Sequence, residues 1–98
     1  MILVRDIFQV KFGKMKEVTG LWKEGLEILK RTGHKPVRLL TDVTGEYYTL
    51  VMESTFNDLS EFENGHKSVA KSEDWRKWYP RFHDYVVTGR REIFSIVE

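Results

Sequence analysis

The period of the apolar residues switches along this chain, and those switches confine the fold more tightly than any other feature of the sequence. Over residues 1–12, Ile2, Val4, Phe8, Val10 and Phe12 fall on one parity and Leu3, Arg5, Ile7, Gln9 and Lys11 on the other. A period of two belongs to a strand, here with one strongly apolar face and one mixed face. Gly13 ends the alternation. Val18, Leu21, Trp22, Gly25, Ile28 and Leu29 then recur at steps of three and four, opposite Lys16, Lys23, Glu24, Glu27 and Lys30. That spacing predicts an amphipathic helix over 14–32, closed by Gly33 in a left-handed cap and supported by a Glu27–Arg31 pair.

Pro36 bars helix immediately before it. Val37 to Val43 reads as a second strand, Thr44-Gly45-Glu46 as a tight turn, and the β-branched and aromatic run Tyr47 to Phe56 as a third strand. Asn57 or Asp58 caps the next helix, with Glu61 at capping-box spacing from Asp58 and Leu59, Phe62, Val69 and Ala70 as its apolar stripe. Ser72, followed by Glu73 and Asp74, starts a fresh helical segment. It carries Trp75, Trp78, Tyr79 and Phe82 at helical spacing, and Pro80 is expected to kink or end it. Gly89 precedes a last alternating run, Arg90 to Val97, the fourth strand. The order β-α-β-β-α-β predicts an α+β, ferredoxin-like domain over residues 1–98, with a four-stranded antiparallel sheet and its helices on one face.

The other sheet face is not plainly polar. It keeps Leu3 and Ile7 on the first strand, and neither parity of the third (Tyr48, Leu50, Met52 against Tyr47, Thr49, Val51) is hydrophilic. A sheet apolar on both sides predicts a partner, and two such sheets stacked face to face predict a homodimer through the helix-free face. Composition narrows the remaining classes. Sixteen Lys and Arg against fifteen Asp and Glu give a net charge of +1, so the phosphate-neutralising excess of a nucleic-acid binder is missing. The basic groups Lys30, Arg31, His34, Lys35, Arg38 and Arg90-Arg91 carry no interleaved stacking aromatics, and no nucleic-acid partner is expected. The absence of cysteine removes disulfides, thiolate nucleophiles and Cys-ligated metals. No membrane-length apolar run and no signal peptide are visible, so the expected setting is cytoplasmic, without a membrane partner.

Phe8-Gln9-Val10-Lys11-Phe12-Gly13-Lys14-Met15-Lys16-Glu17-Val18 resembles the strand–Gly-Lys–helix opening of dimeric α/β-barrel proteins, in particular their NIPSNAP-like and antibiotic-biosynthesis-monooxygenase-like branches. Thr55-Phe56-Asn57-Asp58-Leu59-Ser60-Glu61-Phe62 resembles their strand end running into a helix, and Lys71-Ser72-Glu73-Asp74-Trp75-Arg76-Lys77-Trp78 their S-x-x-W segment. The resemblance implies a homodimer whose two sheets form a barrel, with a helix–sheet pocket in each protomer. It also implies a reaction class that varies from cofactor-independent monooxygenase to isomerase, and includes members with no known reaction. The haem-degrading branch pairs a first-strand Asn with a Trp and a haem-ligating His. This first strand has Asp6 and Gln9 but no Asn, and no cofactor is expected.

Candidate site residues follow from these placements. Asp6 shares parity with the apolar layer, where a carboxylate is costly unless paired; it is expected either as an acid whose burial raises its pKa toward the range useful for proton transfer, or in an ordinary ion pair near a strand end. His83, among Trp75, Trp78, Tyr79 and Tyr85, has the chemistry of a general base, or equally of an amphipathic residue hydrogen-bonded at a helix end. Trp22, Trp75, Trp78 and Tyr79 are expected either to wall an apolar ligand pocket or to be core. Gly25, on the apolar stripe of the first helix, implies close packing there or space left for a ligand. Glu53 is expected near Arg5 or Arg38, at a ligand or in an ordinary ion pair. His66 stands in a single Glu63-x-x-His66 step, as a pocket-rim residue; di-iron sites use that step twice, and no metal is expected. The sequence therefore predicts a homodimer binding a small apolar or aromatic ligand. Its function is either a monooxygenase- or isomerase-like reaction using His83 or Asp6, or a non-catalytic ligand-sensing or dimerisation role.

Overall fold

The computed structural model describes residues 1–97 and runs β1 (Ile2–Val10), α1 (Met15–Arg31), β2 (Arg38–Thr41), β3 (Thr49–Phe56), α2 (Leu59–Ala70), α3 (Glu73–His83) and β4 (Val86–Ser95). The strands form one antiparallel sheet in the order β2-β3-β1-β4, so β1 and β3 are central and β2 and β4 are edges. This is the ferredoxin-like α+β arrangement, with the second helical region divided in two. Asp58 accepts from the amide of Glu61 at 2.9 Å to open α2, and Ser72 Oγ accepts from the amide of Trp75 at 3.2 Å to open α3.

Helix α1 ends as its glycine requires. Gly33 takes φ +81°, its amide reaches Lys30 O at 3.1 Å, and the amide of His34 reaches Leu29 O at 3.2 Å. That double closure turns the chain sharply and carries His34 back over the sheet. Glu27 and Arg31 do not form the expected pair. Arg31 crosses to Asp74 at 3.4 Å and Glu24 to Arg81 at 2.7 Å, both tying α1 to α3.

Register sorts the side chains. The rungs Val4–Ser54, Asp6–Met52 and Phe8–Leu50 put the even residues of β1 and β3 under the helices. The rungs Asp6–Arg91 and Arg5–Glu53 put Arg91 on that side and Arg5 and Glu53 on the other. The core is aromatic. Trp22 and Trp78 meet edge to face at 4.5 Å, Trp78 and Phe82 stack at 5.8 Å, and Phe8 meets Phe82 at 5.1 Å.

Four local expectations are corrected. The third strand begins at Thr49, because Tyr48 sits at φ +60° and ends any extended run before it. The second strand stops at Thr41, and residues 42–48 form a seven-residue loop in place of a tight turn; Asp42 Oδ1 accepts from the amide of Thr49 at 2.9 Å and closes it. Helix α3 does not end at Pro80 but runs on to His83, the proline withholding one N–H from the ladder. Gly89 lies inside β4, where a Cβ would meet Phe8 Cδ1 at 3.0 Å; the Phe8 ring covers that backbone.

Candidate functional site

Between the helical face of the sheet and the three helices lies a cavity of about 280 Å³. Val4, Asp6 and Phe8 of β1, Met52 and Ser54 of β3, and Arg91 of β4 form its floor. Trp22 and Leu29 of α1, Phe62, His66 and Val69 of α2, and Trp75 and Tyr79 of α3 form its walls, with His34 and Val37 from the connection after α1. The aromatic wall is continuous: Trp75 stacks on Tyr79 at 5.4 Å and tilts against Trp22 at 6.1 Å. Trp22 is almost wholly buried, yet its Nε1–H has no hydrogen-bond acceptor among the described residues.

The floor carries one charged pair. Arg91 Nε donates to Asp6 Oδ1 at 2.6 Å, and the Arg91 guanidinium lies 5.1 Å from the centre of the Phe62 ring. Asp6 thus stands in an ion pair, one of its two expected settings, and keeps about a fifth of its side chain exposed (21%). His34 packs edge to face on Phe56 at 5.8 Å, and His66 lies 5.9 Å from Phe62. Lys35 pairs with Glu61 at 3.1 Å, holding the connection after α1 against α2. The Glu61 carboxyl is held below its ordinary range, first by that hydrogen bond from Lys35 and, against a smaller upward push from burial, by a second from Asn57 Nδ2 at 2.7 Å.

Of the residues singled out in the sequence, Asp6, Trp22, Trp75, Tyr79 and His66 converge on this cavity. Trp78 does not. Its indole is buried against α1 and donates from Nε1 to Leu21 O at 3.1 Å. One residue's rotation about α3 separates it from Tyr79, and a helical-spacing argument cannot say on which side of the row the cavity falls. His83 is exposed on the last turn of α3, beside Tyr79 at 6.5 Å and outside the cavity lining. Glu53 faces the opposite side of the sheet, where Arg5 Nε and Arg38 Nη2 approach its two oxygens at 3.0 and 2.6 Å. Odd parity on β3 sends it there.

Arg91, Ser54, Phe62 and His34 also line the cavity, and the spacing of residues along the chain does not single them out. Arg91 follows from the β1–β4 register, which a fourth strand beginning at Arg90 does not reveal. A second depression, about 480 Å³ and open, lies on the helix-free face among Arg5, Ile7, Gln9, Val51, Thr88 and Arg90. Among the described residues no helix is long and apolar enough to cross a membrane, and no three His, Asp or Glu side chains gather as a metal-binding group.

The fold is shared widely. A NIPSNAP domain protein from Burkholderia xenovorans superposes with a TM-score of 0.91 at 19% identity, over 99% of this chain and 95% of its own. A NIPSNAP family protein from Agrobacterium tumefaciens gives 0.92 at 17% identity, over 99% and 93%. A structure described as an antibiotic biosynthesis monooxygenase is more distant, at 0.70 and 16% identity over the whole of both chains. At these identities the likeness is one of fold, and no curated protein matches the sequence. The NIPSNAP family model matches residues 5–98, nearly the whole sequence, and the chain belongs to the NIPSNAP family.

Proposed function

We propose that this protein binds a small, largely apolar or aromatic molecule in the helix–sheet cavity, as a homodimer paired through the helix-free faces of its sheets. One observation carries the ligand: an aromatic-walled space with a charged pair on its floor, left open in a chain that otherwise packs three rings (Trp22, Trp78, Phe82) without solvent access. Ligand sites combine apolar walls with a few convergent polar groups, and the volume, just below the usual range of roughly 300–1,000 Å³, suits one or two fused rings. The dimer is supported by the apolar content of the open face, where Leu3, Ile7, Leu40, Val51 and Phe94 surround the Arg5–Glu53–Arg38 cluster.

A catalytic reading is favoured by one residue. Asp6 is the single carboxylate in the lining, placed to take a proton from a bound hydroxyl or activated carbon, the opening step of a monooxygenase- or isomerase-like reaction. His83 has no part in it, lying outside the cavity.

The test is a titration of 2-naphthol into 15N-labelled protein. Saturable shifts of the Trp22 and Trp75 indole N–H resonances, with that of Trp78 much less affected, are expected; a titration in which no cavity residue responds would overturn the reading.

A further inference from the structure

The chemistry of the cavity floor points beyond an apolar ligand, and this step rests on the cavity being a ligand site. We infer that the cavity selects molecules bearing a carboxylate on an aromatic body, and that Arg91 holds the carboxylate while Asp6 positions Arg91.

Arg91 is fixed on two sides and open on a third. Its Nε is occupied by Asp6 Oδ1 at 2.6 Å, and one face of its guanidinium rests near the Phe62 ring at 5.1 Å. Both contacts restrict a long side chain that would otherwise be free, on an edge strand where little else would hold it. Neither uses the terminal nitrogens, which make no hydrogen bond to the protein among the described residues. A guanidinium so held presents its remaining N–H groups in a plane, the geometry that matches a carboxylate through two parallel hydrogen bonds.

The rest of the lining agrees. Its other free polar side chains, Ser54, His66 and Tyr79, can each donate a hydrogen bond to an anion, while the Nδ1 of His34 is taken by Lys35 O at 2.6 Å. Asp6 is the only acid, and its near oxygen is already spent on Arg91. The terminal nitrogens of Arg91 can only donate and have no protein partner among the described residues, so a ligand that brings a pair of acceptor oxygens meets them and one that brings none leaves them unused. The apolar walls formed by Trp22, Trp75 and Phe62 then take the ring, while the Arg91 side chain, 41% exposed, stays accessible to the carboxylate.

The experiment compares 2-naphthoate with 2-naphthamide, which are nearly isosteric and differ in charge. Affinities are read from the Trp22 and Trp75 indole resonances of the wild-type protein and of R91Q, R91K and D6N. The naphthoate is expected to bind at least about tenfold more tightly than the amide in the wild type. R91Q should erase that ratio while leaving the amide within about twofold, and R91K should retain only part of it, because a lysine keeps the charge and loses the fork. D6N keeps an oxygen that accepts from Arg91 Nε and removes the negative charge beside the anchor, so the ratio should be kept or raised; a ratio erased in D6N overturns Asp6 as a group that acts by positioning Arg91. Equal binding of both probes to the wild type overturns the carboxylate anchor and leaves the cavity reading standing. Binding of neither overturns both. Should R91Q fail to fold, the wild-type ratio and R91K still decide.

Discussion

A Cβ placed on Gly25 of α1 would lie 2.5 Å from Cζ2 of Trp78 on α3, so the missing side chain of one residue is the space occupied by the indole of the other. The same Cβ would also stand 2.8 Å from Cε3 of Trp22. Both rings are almost wholly buried and have nowhere to retreat. Gly25→Ala gains about 1 kcal/mol of helix propensity, but overpacking against two fixed rings costs about 1–3 kcal/mol. A net loss of stability is expected in urea denaturation. A more stable variant would show that the rings move.

Trp78 and Trp75 are three residues apart on one helix and should behave oppositely. Trp78→Ala removes a core ring and the donor to Leu21 O, and should cost about 3–5 kcal/mol. Trp75 is only half-buried and lines the cavity, so Trp75→Ala should cost less stability and weaken 2-naphthol binding about tenfold or more. His83→Ala should change neither. Denaturation and titration of the three variants side by side check the assignment, and a binding defect in His83→Ala would contradict the lining described above.

The Lys35–Glu61 contact makes a prediction with a definite sign. Glu61 has its folded pKa lowered from the ordinary 4.5. Its contribution to stability is therefore fully present above about pH 4.5 and is lost as the pH falls through the lowered value. Lys35→Ala removes the largest cause and should move the Glu61 titration midpoint upward, measurable by carboxyl 13C shifts. An unmoved midpoint would mean that Asn57, at 2.7 Å, suffices.

The helix-free face provides the fourth test. Val51 lies between Ile7 and Leu40 at the middle of that face. A stable two-fold interface buries about 800 Å² per partner, so a charge at its centre should be decisive. Val51→Arg should convert a species of twice the chain mass into one of the single-chain mass in sedimentation, with an unchanged far-ultraviolet circular dichroism spectrum. A wild type that sediments as a single chain would remove the dimer from the proposal.

Much of the architecture is legible in the sequence. Parity in β1, the three- and four-step rows of α1 and α3, and the caps at Gly33, Asp58 and Ser72 are properties of neighbouring residues, and short-range sterics and backbone hydrogen bonding decide them. Asp6 could be assigned to the helical side of the sheet for the same reason. The exceptions arose where distant groups intervene. Gly89 reads as a strand breaker until the Phe8 ring is seen to cover it, and Tyr48 reads as strand until its positive φ is known.

The candidate site is another matter, because its members are joined by register and helix rotation, which no local pattern contains. A linear chain says that Asp6 needs a partner; only the β1–β4 pairing names Arg91, eighty-five residues away. It shows a row of four rings on α3, but the docking of α1 through Gly25 is what turns Trp78 into core and leaves Trp75 and Tyr79 facing a cavity. Periodicity tells which residues share a face. What that face meets is set by long-range packing, where side chains from separate elements compete for the same volume.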